Sequence, residues 1–204
     1  MNSANLEWRG PQGAAYATRN PRTVEALDES YRRRFGTTRT ELGRRFLRFV
    51  PRGASVLEVG CSNGVQLAVL RALGFYGPMV GCDLNREAMI DSTELVVAAD
   101  GGALPFPWRS FDLVFTSGTL MHVSFSARAA FCREILRVAK RWIWGFEPWA
   151  DCGQPIRINY HDLIPDAWAI DEPASYTQLE PLRVLDQEWW PDTPYTHSMW
   201  ILER

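Results

Sequence analysis

Apolar residues along this chain recur with two different periods, and the alternation between them predicts an architecture. Residues 54–60, 79–83, 95–99, 111–116 and 142–146 are short, nearly continuous apolar runs bounded by turn residues, the pattern of strands buried on both faces. Between them lie segments with helical spacing. Residues 24–49 carry Leu42, Phe46 and Phe49 and stop at Pro51-Arg52-Gly53, and residues 65–73 stop at Gly74. A brief helix is expected from Asn85, and a longer one over 124–138 with Ser124 or Ser126 as cap. Strand and helix in alternation predict a doubly wound α/β sheet. Two more strand-like stretches, 181–189 and 195–203, predict an antiparallel hairpin at one edge and complete a mostly parallel seven-stranded sheet. Residues 1–22, rich in Gly, Pro and Asn, read as an irregular arm with at most one short helical turn. No linker or repeat divides the rest. The expectation is one domain: an arm (1–22), a helical segment (23–50) and an α/β core (54–204).

Composition narrows the classes of partner. A chain of 204 residues supports one hydrophobic core, and a formal net charge of -2 leaves no basic footprint for nucleic acid or an anionic membrane. A small-molecule partner is therefore expected, with no nucleic acid and no membrane. The densest basic run, Arg32-Arg33-Arg34, reads as a solvated helix face. Cys61, Cys82, Cys132 and Cys152 lack Cys-x-x-Cys spacing, and His122, His161 and His197 lie far apart. They read as reduced structural thiols and isolated imidazoles, with no metal. No apolar run reaches the roughly 20 residues of a membrane span, and the polar N-terminus lacks a signal-peptide core, so a cytoplasmic location is expected.

The candidate chemistry begins at Glu58-Val-Gly-Cys-Ser-Asn-Gly64, where the first strand turns into a helix. In open α/β sheets, ligands bind beyond the carboxyl ends of the strands. Gly60 permits a tight turn there, and Gly64 lets the helix start close to sheet and ligand. Glu58 suits a ligand carrying an ammonium and a sulfonium and would repel a pyrophosphate. Asp83 ends the second strand, where a carboxylate can accept both ribose hydroxyls, and Leu84 beside it could lie on an adenine face. Asp100 ends the third, in reach of an exocyclic amine. Three acidic strand ends in succession point to a nucleoside-type ligand.

These residues also carry a family resemblance. Val-Leu-Glu-Val-Gly-Cys-Ser-Asn-Gly, Gly-Cys-Asp-Leu-Asn, Ala-Asp-Gly-Gly-Ala-Leu-Pro-Phe-Pro and Ser-Phe-Asp-Leu-Val-Phe-Thr-Ser-Gly-Thr-Leu-Met-His-Val, within residues 55–123, resemble the class I S-adenosylmethionine-dependent methyltransferases. A narrower similarity, to methylases associated with pseudaminic acid biosynthesis, rests on Tyr16-Ala-Thr-Arg-Asn-Pro, Gly-Cys-x-x-Gly, Gly-Thr-Leu-Met-His-Val, Phe146-Glu-Pro and the closing Met-Trp-Ile-Leu-Glu-Arg. The resemblance implies a Rossmann-like methyltransferase fold and S-adenosylmethionine as cofactor. It places Glu58, Gly60, Cys61, Ser62, Gly64, Asp83, Leu84, Asp100, Gly101 and Ser117 at the cofactor, with Ser62 standing where many members have a second glycine. Arg19, with Tyr16, would fold over the cofactor and pair its carboxylate.

The acceptor is less legible. A sugar or nucleotide-sugar hydroxyl or amine is expected, with His122 after the fourth strand as general base and Glu147 at the end of the fifth as a second base or orienting group. Tyr160 and His161 are candidates on the acceptor side, in a segment read as a lid. Two alternatives stand beside this reading: an NAD(P)-dependent oxidoreductase, since Asp83 also suits the ribose of that cofactor, and a non-catalytic relative that binds a nucleoside without turnover.

Overall fold

The computed structural model describes residues 8–150, 156–160, 164–192 and 195–204. The chain divides into two compact units, Met1–Asp100 and Gly101–Arg204. In the first, β1 (Val56–Val59), β2 (Met79–Asp83) and β3 (Val96–Ala98) pair in parallel in the order β3-β2-β1. Every residue of β1 is buried, as a parallel strand with both faces covered should be.

Among the described residues, four α-helices and two 3-10 turns accompany these strands, and local chemistry sets their ends. The arm contains a helix, α1 (Pro11–Ala17), where an irregular segment is expected, and Trp8 packs edge-on against Tyr16. The single helix expected over 24–49 is two: α2 (Val24–Phe35) and α3 (Arg39–Phe46), followed by one 3-10 turn. Gly36 takes φ 70° and ends α2 in the left-handed conformation that glycine tolerates. Thr38 and Glu41 then form a reciprocal capping box that starts α3. Arg32 and Arg33 both pair with Glu29 of their own helix, which agrees with the solvated-face reading. The helix after the first strand is α4 (Val65–Ala72), and the brief helix near Asn85 is a 3-10 turn over Glu87–Met89.

The second unit holds β4 (Phe111–Ser117), α5 (Phe125–Val138), β5 (Ala139–Trp149), α6 (Glu172–Thr177), β8 (Arg183–Asp192) and β9 (Tyr195–Glu203), its sheet ordered β4-β5-β9-β8. Strands β4 and β5 are parallel, and β9 runs antiparallel to both β5 and β8. The expected C-terminal hairpin is thus present. The two units supply seven strands of a mostly parallel α/β fold, the class read from the pattern. Gly145 of β5 lies opposite Trp200 of β9, where a Cβ would stand 2.2 Å from the indole ring. A second hairpin, β6 (Ile156–Tyr160) with β7 (Ile164–Ala169), and α6 itself are absent from the sequence pattern, being too short to show a period. Trp142, Trp144 and Trp200 are core residues. Among the described residues, no helix is long and apolar enough to cross a membrane.

Candidate functional site

In the first unit, the turn from β1 into α4 is closed upon β2 by its own backbone. The amides of Gly60 and Cys61 both donate to the Cys82 carbonyl, at 2.7 and 3.0 Å, and that of Gly64 donates to the Cys61 carbonyl at 2.8 Å. The Ser62 amide donates to Asp83 Oδ2 at 2.8 Å. Gly60, Ser62 and Gly64 take φ values of 78°, 48° and 77°. A non-glycine residue in that region carries a steric cost, which explains why a glycine would suit position 62. Gly81 gives Cys61 its room: a Cβ there would fall 2.6 Å from Cys61 Sγ. The Cys61 side chain is buried against β2, and burial pushes its thiol far up, so only its backbone is left to face a ligand.

A loop whose amides are spent in this way is a poor anion cradle, because the donors that would hold a pyrophosphate are already engaged. It is lined instead with carboxylates. Asp83 Oδ1 accepts from the Asn85 amide at 2.8 Å and Oδ2 from Ser62, which leaves each oxygen a further lone pair. Burial pushes the Asp83 carboxyl up, against the pull of the amides of Asn85, Ser62 and Leu84. Glu58 lies within β1, fully buried, and its Oε2 has no hydrogen-bond partner among the described residues. Desolvation pushes its carboxyl well above the usual range, Arg39 opposes the shift, and Asp83 adds to it. Arg39, itself buried on α3, was not legible as part of this site, since an arginine beside a helix cap ordinarily faces solvent. The engaged amides and the incompletely compensated carboxylates fit S-adenosylmethionine, which carries two positive centres and a ribose diol.

The arm reaches this loop through asparagines that sequence reasoning passed over. Asn20 Nδ2 donates to Ser62 Oγ at 3.0 Å, and Asn63 Nδ2 donates to the Pro21 carbonyl at 2.9 Å. Arg19 is exposed and stacks over Tyr16, with 5.8 Å from guanidinium to ring centre. Leu84 and Asp100 are half-buried, just beyond the ends of β2 and β3.

In the second unit, Gly101 and Ser117 are half-buried, and Ser117 ends β4. Beyond it Gly118 takes φ 64°, and its amide donates to the Phe146 carbonyl at 2.9 Å. The 3-10 turn Leu120–His122 follows. His122 is half-buried overall, but both ring nitrogens are buried, and desolvation pushes its pKa down to about 3. That environment keeps the ring neutral and weakens it as a base. Glu147 is fully buried within β5 and faces backbone: Oε1 accepts from the Thr119 amide at 3.0 Å and Oε2 from the Met121 amide at 3.4 Å. Burial, followed by the charge of Glu172, pushes its pKa up to about 7. Tyr160 closes β6, where its backbone pairs with Ile164, and His161 lies outside the described residues. Arg128 and Glu172, a buried ion pair beside this turn, carry no sequence signal that separates them from surface charges.

Raised carboxyls around the loop make ligand binding pH-dependent. A bound cation favours ionised Glu58, so binding releases a proton wherever the pH lies between its bound and free pKa values. Affinity for S-adenosylmethionine is expected to rise with pH across that interval, whose upper end burial has pushed above the ordinary carboxylate range. Calorimetry in buffers of different ionisation enthalpy checks this, and Glu58→Gln should flatten the slope; an unchanged slope in that variant assigns the proton elsewhere.

Comparison with known proteins agrees with the geometry. Residues 57–142 match the family model described as a methyltransferase domain. A Xenopus tropicalis protein named tRNA (carboxymethyluridine(34)-5-O)-methyltransferase alkbh8 is 28% identical over 112 residues, which is 50% of this chain and 17% of that protein. An Arabidopsis thaliana protein with the same enzymatic name is 29% identical over 99 residues, 47% of this chain and 24% of that one. The aligned stretch thus spans a quarter or less of the length of these curated relatives. Among solved structures, an S-adenosylmethionine-dependent methyltransferase of Leishmania major superposes with a TM-score of 0.70 at 15% identity, over 99% of this chain and 87% of that one. The Burkholderia thailandensis 1,6-didemethyltoxoflavin-N1-methyltransferase, solved with S-adenosylhomocysteine, gives 0.62 at 16% identity, over 81% and 77%. These two share the fold. The broader resemblance read from the motifs is the one these matches support, and with it the cofactor; the oxidoreductase alternative falls. The expectation of a small-molecule acceptor with no nucleic acid is overturned by the two relatives, whose names specify tRNA. Net charge misled there because it averages over the whole surface and is silent about a local acceptor site.

Proposed function

We propose that this chain, a class I S-adenosylmethionine-dependent methyltransferase, transfers a methyl group to a carboxylate oxygen of a modified nucleoside in tRNA. The observation that carries the reading is that neither acid–base candidate presents an accessible basic atom to an acceptor. His122 is held neutral with its nitrogens buried, and both oxygens of Glu147 are engaged by backbone amides. A hydroxyl acceptor needs a base, whereas a carboxylate is already ionised at neutral pH and needs alignment only. The names of the two tRNA-directed relatives point to the same acceptor class, a carboxymethyl group on uridine.

The cofactor, when bound, supplies an electrophilic methyl on sulfonium. In this reading the protein's own residues bind and orient. Asp83 holds the ribose hydroxyls and keeps the loop closed through Ser62, Glu58 biases the site toward positive charge, and Asn20 and Asn63 tie the arm to the loop. In the second unit, the turn after β4 lies beyond the carboxyl end of its strand, the place where open α/β sheets bind ligands.

The test uses S-adenosylmethionine with a tritiated methyl group, offered with tRNA bearing 5-carboxymethyluridine and with the same tRNA unmodified. Label is expected only in the modified tRNA, released as volatile methanol by mild alkali, since an ester is base-labile. Alkali-stable label would move the acceptor to another atom of the RNA, and no label in either RNA would overturn the reading.

A further inference from the structure

We infer that Glu147, Arg128 and Glu172 form a buried clamp that positions the turn at residues 118–123, and through it the methyl acceptor. The acceptor part of this inference rests on the function proposed above; the clamp itself does not.

The turn is gripped by both kinds of backbone group. Its amides at Thr119 and Met121 donate to the two oxygens of Glu147. Its carbonyls at Leu120 and Val123 accept from Nη2 of Arg128, at 2.9 and 3.3 Å. Nη1 of Arg128 donates to Glu172 of α6, so the guanidinium is fixed from behind. All three side chains are buried. The clamp therefore joins β5, α5 and α6 to one short turn. A carboxylate aimed at two amides and a guanidinium aimed at two carbonyls set that turn's position far more tightly than its own two 3.0 Å hydrogen bonds, His122 to Thr119 and Val123 to Leu120. Leu120 and Met121 are buried beneath it, which leaves little slack for a shifted turn.

Glu147 is a positioning residue in this arrangement. Its carboxylate holds both amides most strongly when ionised, and Glu172 of α6 raises its pKa. The other groups facing it are the hydroxyl of Thr116 on β4, Ser198 opposite it on β9, and Cys132 and Tyr176, both held protonated by burial. Protonation of Glu147 as the pH falls through about 7 weakens one acceptor, points an O–H donor toward the turn and loosens it. Methyl transfer should then fall with it.

The experiment follows the full-length protein by amide hydrogen exchange and by turnover. Glu147→Gln keeps the shape, yet it offers one acceptor oxygen and points an amide donor at the second N–H. In that variant exchange at 118–123 is expected to speed up at least tenfold, with β4 and β5 unchanged. Turnover on the RNA substrate should drop by one to two orders of magnitude while KM for S-adenosylmethionine stays within about twofold. The rise in kcat with pH near 7 should vanish. Arg128→Lys, which retains charge but not the fork, should speed exchange to a smaller degree. Unchanged exchange in Glu147→Gln overturns the clamp. Faster exchange with unchanged turnover and pH profile overturns its role in positioning the acceptor. If no RNA is methylated by the wild-type protein, the acceptor reading falls, and the exchange result alone decides the clamp.

Discussion

Arg128→Met is expected to destabilise the protein by about 3–5 kcal/mol at neutral pH, the usual consequence of stranding one half of a buried ion pair. Arg128 and Glu172 are both almost fully buried, and Glu172 depends on this guanidinium for charge compensation. Burial already holds the Glu172 carboxyl above its ordinary value, with Arg128 pulling the other way. Removing Arg128 raises it further. The sign of the pH dependence follows: a carboxylate whose folded pKa is raised costs stability above its unfolded pKa, so the loss should shrink on acidification toward about pH 4.5 and grow toward pH 8. The same variant also frees the Leu120 and Val123 carbonyls. Pairing it with Glu172→Leu should recover much of the loss, because the buried charge leaves with its partner. Urea unfolding of both variants at pH 5 and pH 8 measures this. A loss under 1 kcal/mol, or one that grows on acidification, would contradict the buried-pair account.

Asp83→Ala should weaken S-adenosylmethionine binding about a hundredfold, roughly 3 kcal/mol. The estimate combines hydrogen bonds from a ligand diol to an ionised acceptor, each worth about 1.5–3 kcal/mol, with the loss of the Ser62 and Asn85 contacts that shape the loop. The two contributions separate by ligand. A cofactor analogue lacking the 2′-hydroxyl should bind the wild type more weakly than the parent, and that discrimination should disappear in the variant. Titration calorimetry reads both. Affinity within threefold of wild type would remove Asp83 from the site.

Much of the first unit was legible because its chemistry is local. The Gly60–Gly64 turn and the helix that follows it lie within a few residues of one another, and backbone sterics confine such a turn to few residue types. The break between α2 and α3 was a matter of local reading too: Gly36 and the Thr38–Glu41 pair stood in the sequence, but apolar spacing across 24–49 masked them. The surroundings of Cys61 and Ser62 in the loop were not legible, because they depend on Gly81 and Asp83, some twenty residues away.

The acceptor side was hidden for a different reason. His122 read as a base and Glu147 as a second base or orienting group because an unperturbed pKa is all that a sequence supplies. Burial at the turn after β4 and within β5 moved one down and the other up. Periodicity and turn chemistry alone determined the α/β class, the strand sequence and the Gly60–Gly64 turn, since these follow from which residues stand next to each other. Only the tertiary structure decided that Arg39 shares a charge environment with Glu58, that Arg128 meets Glu172, and that Glu147 holds a turn instead of facing solvent. Those pairings join residues 19, 44 and 28 positions apart, and desolvation, which sets their energies, exists only once the chain has folded around them.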